Sequence, residues 1–233
     1  MMYLVYFLMG ITPSLIWLFY YLEKDKNPES KRMIIKIFIF GMLATIPTIV
    51  VEKILQYIIP DINTTLFIYI RIFIGIALVE EYFKYLVAKT AAFNNREFDE
   101  PIDTLIYMIV SALGFAAMEN VLLLMSTGPS LELTTSFTLI GLRFVGATFL
   151  HALVSGTFGY FLALSFCYRK ARVFFFIIGI GAATLLHGAF NFSIINDSGI
   201  NQILVPTLVI FVSSLFLSKA FKRLRNIKSI RKL

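Results

Sequence analysis

Residues 66–88 read LFIYIRIFIGIALVEEYFKYLVA, and this stretch decides the fold. It is long enough to cross a bilayer, which takes about 20 mostly apolar residues. Yet it carries Glu80, Glu81 and Lys84, and an ionisable group in hydrocarbon costs about 2.5–3.5 kcal/mol on insertion scales. Such groups persist in a span only where a protein interior receives them. Outward from this stretch, six more segments read as spans: 3–22, 34–59, 105–125, 137–166, 173–195 and 203–221. The first has no basic leader and no small-residue cleavage site, so it reads as an uncleaved span. The connectors carry turn chemistry: Pro60-Asp61-Ile62-Asn63, Gly128-Pro129-Ser130 and Asn196-Asp197-Ser198-Gly199.

Composition agrees. The 233 residues are 58% hydrophobic and 15% charged, whereas soluble domains average about 45–50% and about 25%. With 24 Phe and 11 Tyr the chain is also far from a disordered composition. A single cysteine, Cys167, excludes a disulfide framework and a cysteine-rich zinc site. The expected fold is an all-α integral membrane bundle of about seven helices. It forms one domain over 1–233, with a motif-bearing core at 66–195.

Basic residues orient it. Segments 23–36, 89–100, 169–172 and 219–232 hold 5, 2, 3 and 7 Lys or Arg, whereas the alternating stretches near 52–65, 126–136 and 196–200, taken with the span ends, hold Lys53 alone. Lys and Arg near span ends stay cytoplasmic, which predicts an N-terminus outside and a C-terminus inside. The net charge of +7 is thereby assigned to anionic lipid at the inner leaflet, above all at the tail 219–233, and no nucleic-acid partner is expected. Arg71 and Arg143 read as interfacial anchors, and Tyr20, Tyr21 and Tyr107 as members of interfacial belts.

Four consecutive spans contribute acid or imidazole. Glu80, Glu81 and Lys84 lie in the third, Glu119 in the fourth, His151 in the fifth and His187 in the sixth; these are the only histidines. Counting about 1.5 Å per residue from the span ends sets all four groups near one height, in a pocket reached from the outer face. Glu80 and Lys84 are spaced i,i+4, as are His187 and Asn191, and His151 and Ser155. Neighbouring carboxylates at low dielectric cannot both ionise cheaply, which suits one of them to take a proton from water. Imidazoles and Asn191 can stabilise an oxyanion or hold a metal. Ser155 beside His151 lacks an orienting acid, and no His-Glu-x-x-His motif or glycine-rich phosphate loop occurs.

The motifs Glu80-Glu81-x-x-Lys84 and Phe115-x-x-x-Glu119, followed by His151 and His187 in the next two spans, resemble those of the PrsW family of intramembrane proteases. That family is similar to the type II CAAX prenyl endopeptidases and to the APH-1 subunit of γ-secretase. Glu119 stands where the CAAX endopeptidases have a histidine, which argues against a prenylated substrate. The resemblance implies a bacterial multi-pass cell-membrane protease. Its substrate would be a single-pass anti-sigma factor, cleaved at site 1 on the extracytoplasmic side to start a stress-response cascade. It makes Glu80 and Glu81 general base and partner. Glu119, His151 and His187 become candidate metal ligands or electrophilic groups, with Lys84 and Asn191 in support. Zinc and a glutamate-activated water without metal both remain open. The alternatives from other classes are a non-catalytic membrane scaffold and a proton-coupled transporter using the same Glu/His cluster. Structural glue alone is a poor account of so many buried charges, because helices pack well without them.

Overall fold

The computed structural model describes residues 2–25, 27–59, 64–95, 97–127 and 131–227, which contain helices and no strand. Seven helices follow in order: α1 (Met2–Leu22), α2 (Lys31–Ile58), α3 (residues 65–91), α4 (Pro101–Thr127), α5 (Leu133–Cys167), α6 (Arg172–Asn196) and α7 (Asn201–Leu224). Six are long and apolar enough to cross a membrane, and α3 matches them in length but interrupts its apolar run with Arg71, Glu80, Glu81 and Lys84. Each expected span corresponds to one helix.

Several helices start earlier than hydropathy indicates, because polar residues form the first turns. Ser30 caps α2, its hydroxyl accepting the Met33 N–H at 3.2 Å. Asp103 caps α4 by accepting the N–H groups of Asp99 and Glu100, and Pro101 opens the helix, where its missing N–H is not needed. The connector at 196–199 turns through Gly199 at φ 63°. Pro60–Asn63, Gly128–Ser130 and the last six residues of the basic tail lie outside the described residues. Before them α7 runs through Lys219, Lys222 and Arg223 as continuous helix.

α4 is the axis of the bundle. It is buried almost along its length and packs against α1, α2, α3 and α5. Its small residues allow this. A Cβ on Gly41 of α2 would overlap the Ser111 carbonyl, and one on Gly114 of α4 would overlap the Phe38 carbonyl, so the two backbones touch at the crossing. The outside is apolar, with Leu142, Val173 and Ile203 at least 70% exposed, as a lipid-facing surface requires. Phe174 shares that surface, whereas Phe158 lies wholly inside. Tyr21 and Tyr107 are likewise buried, at 5% and 0% exposure, so of the three tyrosines expected in interfacial belts only Tyr20 is exposed. Tyr21 stacks on Phe221 of α7 and Tyr107 packs beside Phe98, and this packing overrides the preference that amphipathic rings have for interfaces.

Two helices widen into π-helical turns just before their polar motifs: α3 over Ile70–Leu78 and α5 over Phe144–Thr148. Such turns are rare and cluster at functional sites. The one in α5 is braced from outside, since Trp17 of α1 donates its indole N–H to the Phe144 carbonyl at 2.9 Å and stacks on Phe149. The one in α3 packs on α6, where a Cβ on Gly188 would overlap the Phe73 ring. Gly188 therefore lets α6 approach closely enough to present His187 to α3.

Candidate active site

The α-helix resumes at Val79 and turns Glu80, Glu81 and Lys84 inward, with none more than 5% exposed. An ammonium has three donors and no acceptor, and Lys84 uses all three. Its Nζ reaches Glu81 Oε1 at 2.7 Å, Glu80 Oε2 at 3.1 Å and His151 Nδ1 at 2.7 Å. The Phe115 ring lies 4.6 Å from the same ammonium. Lys84 thus pairs with both carboxylates, where the sequence offered it to one.

These contacts fix the imidazole tautomers. His151 Nδ1 accepts from Lys84, so its proton is on Nε2, which lies 2.8 Å from Glu119 Oε2. His187 Nδ1 donates to Glu81 Oε1 at 3.0 Å, which leaves a lone pair on Nε2. That lone pair lies 3.8 Å from Glu80 Oε2, and His151 Nδ1 is also 3.8 Å from the same oxygen.

Glu80, His151 and His187 thereby form a buried group able to hold a metal ion. The donors fit. Ligands about 2.1 Å from a tetrahedral zinc sit about 3.4 Å apart, a few tenths of an ångström closer than these. Both imidazoles have the outer nitrogen on a carboxylate, His187 on Glu81 and His151 on Glu119, the arrangement that orients metal-binding histidines. The enclosed group also has two carboxylates against one ammonium, a negative excess that a cation would offset. The carboxylate in this set is Glu80, where the sequence suggested Glu119. Glu119 sits behind His151 with 32% of its side chain exposed.

Arg143 departs from the anchor role expected of it. Its Nη2 approaches Glu119 Oε2 at 3.5 Å and its Nε bonds the Asn120 side chain. Asn120 is fully buried and donates in turn to Thr148 Oγ1 and the Gly10 carbonyl. The π turn after Arg143 shifts the angular register of α5, which a count of residues along the span does not reveal. Ser155 donates to Glu81 Oε2 at 2.6 Å, so the orienting acid absent from its local sequence comes from α3. Glu81 is then engaged at both oxygens, whereas Glu80 Oε1 makes no hydrogen bond among the described residues. Asn191 is half-buried and, among the described residues, makes no hydrogen bond to the cluster.

Glu52, which the sequence did not single out, lies within the expected span 34–59, and α2 carries it within electrostatic reach of Glu80, Glu119 and Lys84.

A family model described as PrsW family intramembrane metalloprotease matches residues 29–217. The chain is 33% identical over 201 residues to a protein of Oceanobacillus iheyensis named Protease PrsW, covering 86% of this chain and 88% of that one. Proteins of the same name from Clostridioides difficile and Bacillus subtilis are 28% and 25% identical. They cover 96% and 86% of this chain, and 93% and 87% of their own lengths. No solved structure matches the chain.

Proposed function

Because this chain belongs to the PrsW family of intramembrane metalloproteases, we propose that Glu80, His151 and His187 hold a zinc ion and that the substrate is a single-pass membrane protein. The chain is a multi-pass membrane protein and a membrane protease. One observation carries the metal assignment: two imidazole nitrogens lie 3.8 Å from one buried carboxylate oxygen, each ring held from behind by another carboxylate. Bound zinc would polarise the scissile carbonyl and acidify a water molecule. The chain's own groups divide the remaining work. Glu81, pinned by Lys84 and Ser155, orients His187. Glu119 orients His151, while Arg143 keeps its carboxylate in place.

The family resemblance and the distribution of basic residues support the finer reading. The substrate is an anti-sigma factor, cut at site 1 on the extracytoplasmic side, with the N-terminus of the protease outside and its basic tail at the inner leaflet. The whole of 1–233 acts as one protease domain.

A metal-free route has one observation in its favour: Lys84 Nζ occupies the His151 Nδ1 lone pair. In that route Glu80 takes a proton from water through its unbonded Oε1.

Purified protein in nanodiscs, given a single-pass anti-sigma-like reporter, decides between them. The expected result is cleavage that a chelator abolishes and zinc restores, absent in Glu80→Gln protein that accumulates normally. Cleavage indifferent to chelation overturns the metal assignment in favour of glutamate-activated water.

A further inference from the structure

A cavity of about 460 Å³ lies between α2, α3 and the end of α6, within the range of about 300–1,000 Å³ usual for ligand sites. Half of its twelve lining residues are isoleucines, contributed by α2 and its C-terminal end, the first half of α3 and the end of α6. The rest are almost all polar, including Glu52, Gln56, Arg71 and Asn196. Glu52 lines the cavity, and Ile76, also in the lining, sits one helical turn before Glu80 on α3, so cavity and site adjoin. Its Oε1 is buried and has no hydrogen-bond partner. A buried acceptor left unpaired is costly, so one aimed into a cavity calls for a donor from whatever enters.

The lining matches one kind of occupant. A polypeptide that is to be cut must lose its helix, and an unwound backbone at membrane depth is tolerated only where its N–H and C=O groups find partners. Glu52 offers an acceptor, while Gln56 and Asn196 offer donors. The isoleucine walls favour branched apolar side chains.

We propose that this cavity is the subsite for an extended, branched-apolar stretch of substrate beside the scissile bond, with Glu52 accepting one of its main-chain N–H groups. The proposal rests on the protease reading above and adds its sequence preference.

Gly75, in the π-helical part of α3, supplies the test. A Cβ there would meet only Ile59 Cδ1 at 3.8 Å and the Ile70 carbonyl at 3.9 Å, so Gly75→Ala fits and Gly75→Leu grows into the cavity. Gln56→Trp fills it from the exposed opposite wall should Gly75→Leu fail to fold. Full-length protein in nanodiscs is photo-crosslinked to a diazirine-tagged peptide with an Ile-Leu-Val core, to the same peptide with a Ser core, and to a diazirine fatty acid. Reporter cleavage is measured in parallel.

Wild type and Gly75→Ala should capture the apolar peptide about tenfold better than the Ser peptide, and a blocking variant should lose about tenfold in capture. Glu52→Gln should lose about fivefold. For the reporter, blocking should raise KM and spare kcat. Equal capture of the two peptides, undiminished capture by a folded blocking variant, or preference for the fatty acid overturns the subsite. Peptide capture with no reporter cleavage under any metal condition supports the subsite and overturns the protease reading. Cleavage at unchanged KM in blocking variants overturns the subsite and leaves that reading intact.

Discussion

Acidic side chains gather at two levels along α4, and only one gathering has the makings of a reactive centre. At the basic end of the bundle Asp25, Glu29 and Asp103 bring carboxylate oxygens within 4.8 Å of one another. There Asp103 accepts two backbone N–H groups at the start of α4, an ordinary structural use of an acid. Burial pushes the Glu29 carboxyl above its usual range, with the charges of Asp25 and Glu97 adding to the effect. The group includes no imidazole. Deeper in the bundle, Glu80, Glu81 and Glu119 meet an ammonium, a guanidinium and two imidazoles. Clustered acids alone therefore do not mark a site. Imidazoles that converge on one carboxylate, each ring fixed on its far side, do.

The sharpest test of that distinction is His187→Ala, which removes a converging lone pair. Reporter cleavage should fall about 10³-fold with protein level unchanged, while Asp103→Asn at the other cluster leaves cleavage within about twofold. Next is Lys84→Met, which leaves two buried carboxylates without their cation. A thermal unfolding series in detergent should show a loss of about 3–5 kcal/mol. Third, Glu119→Gln and Arg143→Ala loosen the support of His151, and each should lower kcat/KM by about 10–100-fold.

The smallest effect falls on the basic end. A folded-state carboxyl raised above its unfolded value costs stability wherever it is ionised, above that raised value. The cost fades as the pH drops towards the unfolded value of about 4.3. Glu29→Gln should therefore raise the unfolding temperature at neutral pH, with the gain shrinking in acid. A loss at neutral pH would show that the two clusters are closer in kind than their contacts indicate.

Much of this was legible in the sequence because hydrocarbon makes charges conspicuous. Glu80, Glu81, His151 and His187 stood out against apolar runs, and rise per residue set them at one height. Azimuth was the missing coordinate. Height alone could not tell Glu80 from Glu119 as the carboxylate between the imidazoles, because that depends on how α3, α5 and α6 are rotated about their axes. The π turn within α5 adds its own rotation between Arg143 and His151, and Arg143, expected at the interface as a cation near a span end, turns inward to Asn120. Glu52 was hidden differently: it neighbours Lys53 near a span end, where charges are expected, and only the packing of α2 against α3 reveals which way it faces.

The brace on the π turn of α5 has a practical consequence. Trp17 is the single tryptophan of the chain, and its ring lies 3.9 Å from Phe149, two residues before His151. The intrinsic fluorescence of the protein is thus a native optical probe of the wall behind the site. Its emission maximum and quenching should follow metal loading or substrate entry in real time, with no label attached.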